Sequence, residues 1–229
     1  PEVSGSIPLP ATNNRYMNNL KQLAIKHKSD KHGSHFYTEI YERFMFSKKN
    51  NSIKFLEIGV GGYVDGNYSD PHLGGESLRM WRDYFRKGKI VGLDIFKKEI
   101  KLGNRVKIFQ GSQNNAITLS QIVNEYKKFD FIVDDGSHIS KDVIFSFKYL
   151  FSSLKEGGYY FIEDIQSSYI RELGGDGAYL GNKKTAVNYF KGLVDKINYQ
   201  EIENPFYKPD YFAQNTTEIH FFHNMIVIK

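Results

Sequence analysis

The 229-residue chain predicts an α/β fold, a doubly wound, mostly parallel seven-stranded sheet with a C-terminal antiparallel hairpin and N-terminal helices. Three observations carry this. From about residue 51, near-continuous apolar runs alternate with helix-like segments, as expected of parallel strands covered by helices on both faces. The first apolar run ends in the small-residue turn "EIGVGG", the kind of strand-to-helix turn that lets backbone approach a ligand. Finally, "TEIHFFHNMIVIK" is strand-like on both sides of Asn224 with no helix-length segment between, which gives the hairpin.

In chain order, Pro1 to about Pro10 reads as a loose or partner-bound arm. "NRYMNNLKQLAIKHK" has helical spacing through Tyr16, Leu20, Leu23 and Ile25, and "HFYTEIYERFMF" repeats it through Phe36, Ile40 and Phe44 and through Tyr37 and Tyr41. Residues 1–50 thus form an arm and helices suited to capping or oligomer contacts, ahead of a main domain over 51–229. There "IKFLEIGV", "KIVGLDIF", "FDFIVDD" and "GGYYFIEDI" read as strands. "SLRMWRDYF", "AITLSQIVNEY" and "KDVIFSFKYLFSSL" read as helices, with Trp81 packing its helix on the sheet. The glycine-bearing loop from Arg171 to Lys184 is expected to be a mobile lid.

Composition narrows the function. The net charge of +5 comes from lysines scattered over expected surface helices, so no nucleic acid partner is expected. No apolar run approaches the roughly 20 residues that cross a bilayer, and "PEVSGSIPLP" has no secretory pattern, so the expectation is a cytoplasmic protein without membrane insertion. With zero cysteines, any metal must be held by oxygen or imidazole.

In an open parallel sheet, ligands lie beyond the carboxyl ends of the strands. Those ends carry Glu57, Gly59, Gly61 and Gly62, then Asp94, then Asp134, Asp135 and His138, then Glu163 and Asp164. Asp94 stands where a ribose hydroxyl pair is taken up, which suits either a nicotinamide cofactor or S-adenosylmethionine. The turn reads "GVGG" without a full G-x-G-x-x-G, and an acid precedes it; a sulfonium and an amino group tolerate that acid better than a pyrophosphate does. Asp135, Glu163 and Asp164 on neighbouring strands can share one hard cation such as Mg²⁺. His138 is then the best general base, the alternative being a cap on the following helix.

The blocks "SDKHGSHFYTEIY", "FLEIGVGGY", "GGESLRMWRDYF", "VGLDIF", "FQGSQ", "FIVDDGSHIS", "GGYYFIEDIQSSY" and "IHFFHNMIVI" together resemble the class I S-adenosylmethionine-dependent, metal-dependent sugar O-methyltransferases, a Rossmann-like family with members acting on deoxysugars of macrolides. The resemblance implies that Asp135, Glu163 and Asp164 hold Mg²⁺ and that His138 deprotonates a sugar hydroxyl. It further implies a cofactor site of Glu57, Gly59, Gly61, Asp94 and Asp134, with Asp30, Ser112 and Gln113 near the cofactor's ends. His32 after "SDK" and the form "GSQ" depart from the usual pattern, which bears on the acceptor more than on the reaction. The basic surface favours a nucleotide-linked sugar destined for a bacterial surface glycan such as a capsule or O-antigen over a macrolide deoxysugar. Relatives are commonly oligomeric, so a homo-oligomer, dimer or tetramer, is expected. In another class, a nicotinamide-dependent nucleotide-sugar oxidoreductase would share the fold and Asp94.

Overall fold

The computed structural model describes residues 19–65 and 67–229; the expected arm and the first turn of the expected first helix lie outside them. Seven strands, β1 (Lys54–Ile58), β2 (Lys89–Asp94), β3 (Val106–Gln110), β4 (Phe129–Asp134), β5 (Leu154–Ile162), β6 (Ile219–Phe222) and β7 (Met225–Ile228), form one sheet in the order β3-β2-β1-β4-β5-β7-β6. β1 to β5 run parallel. β7 then enters antiparallel beside β5, and its hairpin partner β6 becomes the edge. The strand order reverses between β1 and β4, which opens a crevice at their carboxyl ends.

One strand has no apolar run to announce it. β3 is an edge strand with half-exposed residues, so its sequence "VKIFQ" shows no continuous hydrophobic signature.

The pleat divides the core. Phe55, Phe131, Phe161 and Val227 face one way, into a cluster completed by α1 (Asn19–His27), α2 (Tyr37–Met45) and α3 (Glu76–Tyr84). Leu56, Ile132, Tyr160, Ile162 and Ile228 face the other way, against α4 (Ala116–Tyr126), α5 (Ser140–Leu150) and the shorter α6 (Ala186–Lys191). The two N-terminal helices therefore belong to the same core as the sheet. Leu20 and Ala24 of α1 and Tyr41 and Met45 of α2 are fully buried in it, because each helix repeats apolar residues at helical spacing on one face, with Tyr41 and Phe44 of α2 against Tyr159 and Phe161 of β5. Trp81 closes this layer, its ring 4.7 Å from Phe55 and 4.9 Å from Tyr41.

Local chemistry fixes where the helices begin. Asn115 caps α4 by accepting from the backbone N–H groups of Ile117 and Thr118. At α5 the residue before the helix supplies no cap; Ser137 accepts from the Ile139 N–H at 3.2 Å and donates to Asp142 at 3.1 Å. Among the described residues no helix is long and apolar enough to cross a membrane.

α1 is tied to α3 by charge as well as packing. His27 Nε2 lies 2.8 Å and Lys26 Nζ 3.3 Å from Asp83, which Arg82 also contacts. Partial burial pushes the Asp83 carboxyl up, but these hydrogen bonds outweigh it and bring it down to about 2. A carboxyl lowered in the folded state stabilises above its unfolded value of roughly 3.9, and the benefit disappears as the pH falls toward about 2. Asp83→Asn should thus cost ~1–2 kcal/mol at neutral pH, with the two proteins converging near pH 2. Denaturant unfolding across that range checks it; a cost independent of pH would contradict the assignment.

Candidate active site

The crevice is built by contact between two turns. After β1 the chain turns at Gly59, whose N–H donates to the Leu93 carbonyl, and after β4 the Asp135 N–H donates to the Ile58 carbonyl. Gly59 has φ +91°, and a Cβ there would lie 2.0 Å from the Asp135 carbonyl oxygen. No side chain fits between the two turns. Asp94 at the end of β2 secures the same turn, accepting from the Val60 N–H at 2.9 Å and the Phe96 N–H at 2.8 Å.

Over these turns lies a cavity of about 370 Å³ whose walls include Asp30, Gly59, Gly61, Gly62, Tyr68 and Asp135. Gly61 has open space where a side chain would stand. Asp135, which lines the cavity, also converges with His138 and Asp164, with one ligand atom from each within 4.8 Å of the others. His138 Nε2 lies 3.9 Å from Asp135 Oδ1 and 3.7 Å from Asp164 Oδ2. Its φ of +55°, unusual for a residue with a side chain, belongs to the tight loop that aims the ring at the acids instead of at the helix start.

Each outward-facing carboxylate is held from behind. The Tyr37 hydroxyl donates to Asp164 Oδ1 at 2.7 Å, and His35 stacks on Tyr37 with its Nδ1 3.9 Å from the same oxygen. Burial pushes Asp164 up, yet the Tyr37 hydrogen bond and the His138 imidazole outweigh it and hold the carboxyl below its usual range. Asp135 Oδ2 receives the Lys31 ammonium at 2.8 Å. That ammonium also donates to Glu163 Oε1 at 2.7 Å and lies 3.3 Å from Glu57 Oε1. Burial alone would lower the Lys31 ammonium; the charges of Asp135, Glu163 and Glu57 reverse this and hold it well above its usual value. One ammonium cannot balance three acids, so burial, followed by the Asp135 charge, pushes Glu163 well up.

The expected site residues therefore separate by depth. Asp30, Gly59, Gly61 and Asp135 line the cavity, whereas Glu57 is fully buried beneath it, accepting from Ser77 at 2.7 Å and from the Trp81 indole at 3.1 Å. Glu163 is 3% exposed and turns its Oε1 to Lys31 and to the Tyr41 hydroxyl, away from the Asp135, His138 and Asp164 cluster. Asp134 points to the opposite face of the sheet from Asp135, into a network with Ser146, Gln113 and Tyr160, and burial pushes it up to about 6. Gln113 links that network to the site loop by accepting from the Ser137 N–H at 2.6 Å. Ser112 bonds with Asn114 at the surface of the same turn.

Lys31, Tyr37 and Tyr41 were absent from the expected set. The two tyrosines read only as core positions of a helix, and Lys31 reads as an ordinary loop lysine. The one available signal was its place in the block "SDKHG". The expected lid loop leaves Tyr179 and Leu180 exposed at its outer end, while Gly175 packs against the Ser167 and Ser168 backbone.

A cavity of similar size, about 390 Å³, lies at the amino ends of the strands, lined by Lys26, Lys49, Arg86, Arg105 and Asp83 among others. Arg105 there is engaged by the backbone carbonyls of Arg82, Phe85 and Gly88, and Lys26 by Asp83. It is remote from the acid and imidazole cluster.

No family model matches the chain. Mycinamicin VI 2''-O-methyltransferase of Micromonospora griseorubida is 37% identical over 212 residues, covering 92% of this chain and 52% of that protein. A tetracenomycin-C rhamnosyl 3'-O-methyltransferase of Streptomyces olivaceus is 34% identical over 212 residues, covering 92% and 53%. Among solved structures, the MycE methyltransferase from the mycinamycin biosynthetic pathway, in complex with Mg, SAH and mycinamycin VI, superposes with a TM-score of 0.84 at 36% identity, covering 92% of this chain and 53% of that one. The chain spans about half the length of the curated relatives it matches. It shares with them the class I methyltransferase fold, a mostly parallel sheet closed by an antiparallel pair. A surface-glycan acceptor has no counterpart among these relatives.

Because Gly59 separates the two turns by backbone alone, Gly59→Ala should destabilise the protein by about 2–4 kcal/mol and disturb the Asp135 loop. Thermal unfolding reads this directly; a melting temperature within about a degree of the parent's would show that the turns can part freely.

Proposed function

We propose that this chain, whose relatives over most of its length are sugar O-methyltransferases, transfers the methyl group of S-adenosylmethionine to a sugar hydroxyl with the help of a divalent cation. The observation that carries the reading is the convergence of Asp135, His138 and Asp164, with Asp135 also lining a glycine-floored cavity. The fit to the donor can be judged from the walls. Asp30 and Asp135 give the cavity acidic sides, which suit a ligand carrying a sulfonium and an ammonium and oppose a dinucleotide pyrophosphate. Gly61 leaves room, and Asp94 keeps the turn at the position suited to a ribose.

The donor set also fits a hard cation. Asp135 Oδ1 and Asp164 Oδ2 face His138 as oxygen ligands, whereas Glu163, buried with its Oε1 held by Lys31 and Tyr41, stands outside this cluster. A cation bound there would make a coordinated sugar hydroxyl more acidic. His138, whose Nε2 faces both carboxylates, would take the proton. The acceptor oxygen then bonds to the methyl carbon as the carbon–sulfur bond breaks, and the proton remains on the imidazole. Positioning supplies most of the remaining rate, since the sulfonium is already an activated methyl donor. For the acceptor, the relatives support a deoxysugar hydroxyl on a glycosylated natural product.

The test is methyl transfer from labelled S-adenosylmethionine to a panel of rhamnosyl glycosides and nucleotide sugars, with Mg²⁺ or a chelator. The expected result is a methylated glycoside that chelator abolishes. His138→Ala should lower kcat by about 10²–10⁴ while leaving S-adenosylmethionine affinity within about twofold. A variant with parental turnover would remove His138 from the base role.

A further inference from the structure

Lys31 is the buried charge that the proposed reaction does not use. Its side chain is fully inaccessible, and its ammonium touches one oxygen from each of three strand ends: Glu57 within β1, Asp135 after β4 and Glu163 after β5. A lysine is almost never buried so completely without a strong electrostatic reason. The geometry also sorts the oxygens. Asp135 gives Oδ2 inward to Lys31 and Oδ1 outward to the cluster with His138, and Asp164 likewise gives Oδ1 to Tyr37 and Oδ2 outward. The site has two storeys, an inner one closed by donors from residues 31–41 and an outer one open to the cleft.

We propose that Lys31 is a positioning residue that acts as a fixed counter-cation, occupying the inner storey so that a divalent ion is confined to the outer one and held there with moderate affinity. This rests on the metal-dependent reading above. The four carboxylates Glu57, Asp135, Glu163 and Asp164 carry up to four negative charges, and Lys31 is the cation that the fold places among them permanently. Its charge weakens the pull of Asp135 and Glu163 on any second cation. Its three contacts also fix the direction in which the Asp135 carboxylate faces. Without the ammonium, Glu57 and Glu163 would keep only the neutral donors Ser77, Trp81 and Tyr41 and the inner carboxylates would lose their counter-charge, so a divalent ion would gain by taking its place.

The experiment compares the parent chain with Lys31→Met, which keeps the length of the side chain, and Lys31→Arg, which keeps the charge. All are purified in Mg²⁺, exchanged into metal-free buffer, and titrated with Mn²⁺ by calorimetry, with melting temperatures measured at zero and saturating Mn²⁺. The expected result is that Lys31→Met melts lower than the parent without metal, gains more from Mn²⁺, and binds it at least about tenfold more tightly, while Lys31→Arg stays near the parent. A purely structural lysine would lower the melting temperature of Lys31→Met equally with and without Mn²⁺ and leave the affinity unchanged. That result, or weaker binding in Lys31→Met, overturns the counter-cation role. If Lys31→Met is folded only while Mn²⁺ is present and the parent is folded without it, the proposal is upheld. If the parent itself binds no Mn²⁺, the metal-dependent reading fails and this inference falls with it.

Discussion

The Lys31 ammonium, enclosed by the carboxylates of Glu57, Asp135 and Glu163, is the interaction on which the rest of the site depends. Parallel strands in register bring their carboxyl ends together, and here those ends carry acids that would repel one another in a buried setting. Taking any one of them out of water unpaired costs several kcal/mol. A single cation supplied from outside the sheet lets three strand ends meet. It comes from the turn between α1 and α2, so the N-terminal segment is part of the site's floor as well as part of the core.

That dependence explains how the core and the chemistry are joined. α2 buries Tyr37, Tyr41, Phe44 and Met45 along one face, and the apolar packing of that face places the Tyr37 and Tyr41 hydroxyls where they meet Asp164 and Glu163. Trp81 does the same from α3, filling the layer with its ring and donating its indole N–H to Glu57. Side chains that look like core thus also serve as hydrogen-bond donors to buried acids. On the other face, Asp134 is anchored by Ser146 and Gln113, and Gln113 in turn holds the loop that presents His138. The site loop is fixed from both sides of the sheet, while the loop beyond Tyr169 is tied to itself through Asp176 and to α6 through Asn188, with Tyr179 and Leu180 exposed.

Much of this was legible in the sequence, and what was not has identifiable causes. The parallel strands other than β3 declared themselves as apolar runs, the hairpin as paired runs about Asn224, and the strand-end acids by position alone. β3 escaped because an edge strand with half-exposed residues has no such run. Position at a strand end does not give direction, but the pleat does: Glu57 shares the face of Phe55 and so points under α3, and Asp134 shares the face of Ile132 and so points at α5. Lys31 could not be read at all from periodicity. It lies in a polar turn whose burial is decided by residues more than a hundred positions away.

These strand ends are proposed to form a site for S-adenosylmethionine beside a divalent cation. This is tested most directly by calorimetric titration of the chain with S-adenosylmethionine and, separately, with NAD⁺, each with Mg²⁺ present and after chelation. Saturable binding of S-adenosylmethionine in the micromolar range, roughly −8 kcal/mol, is expected, and none of NAD⁺. Binding of NAD⁺ in preference to S-adenosylmethionine would contradict it and leave the acids around Lys31 as elements of structure.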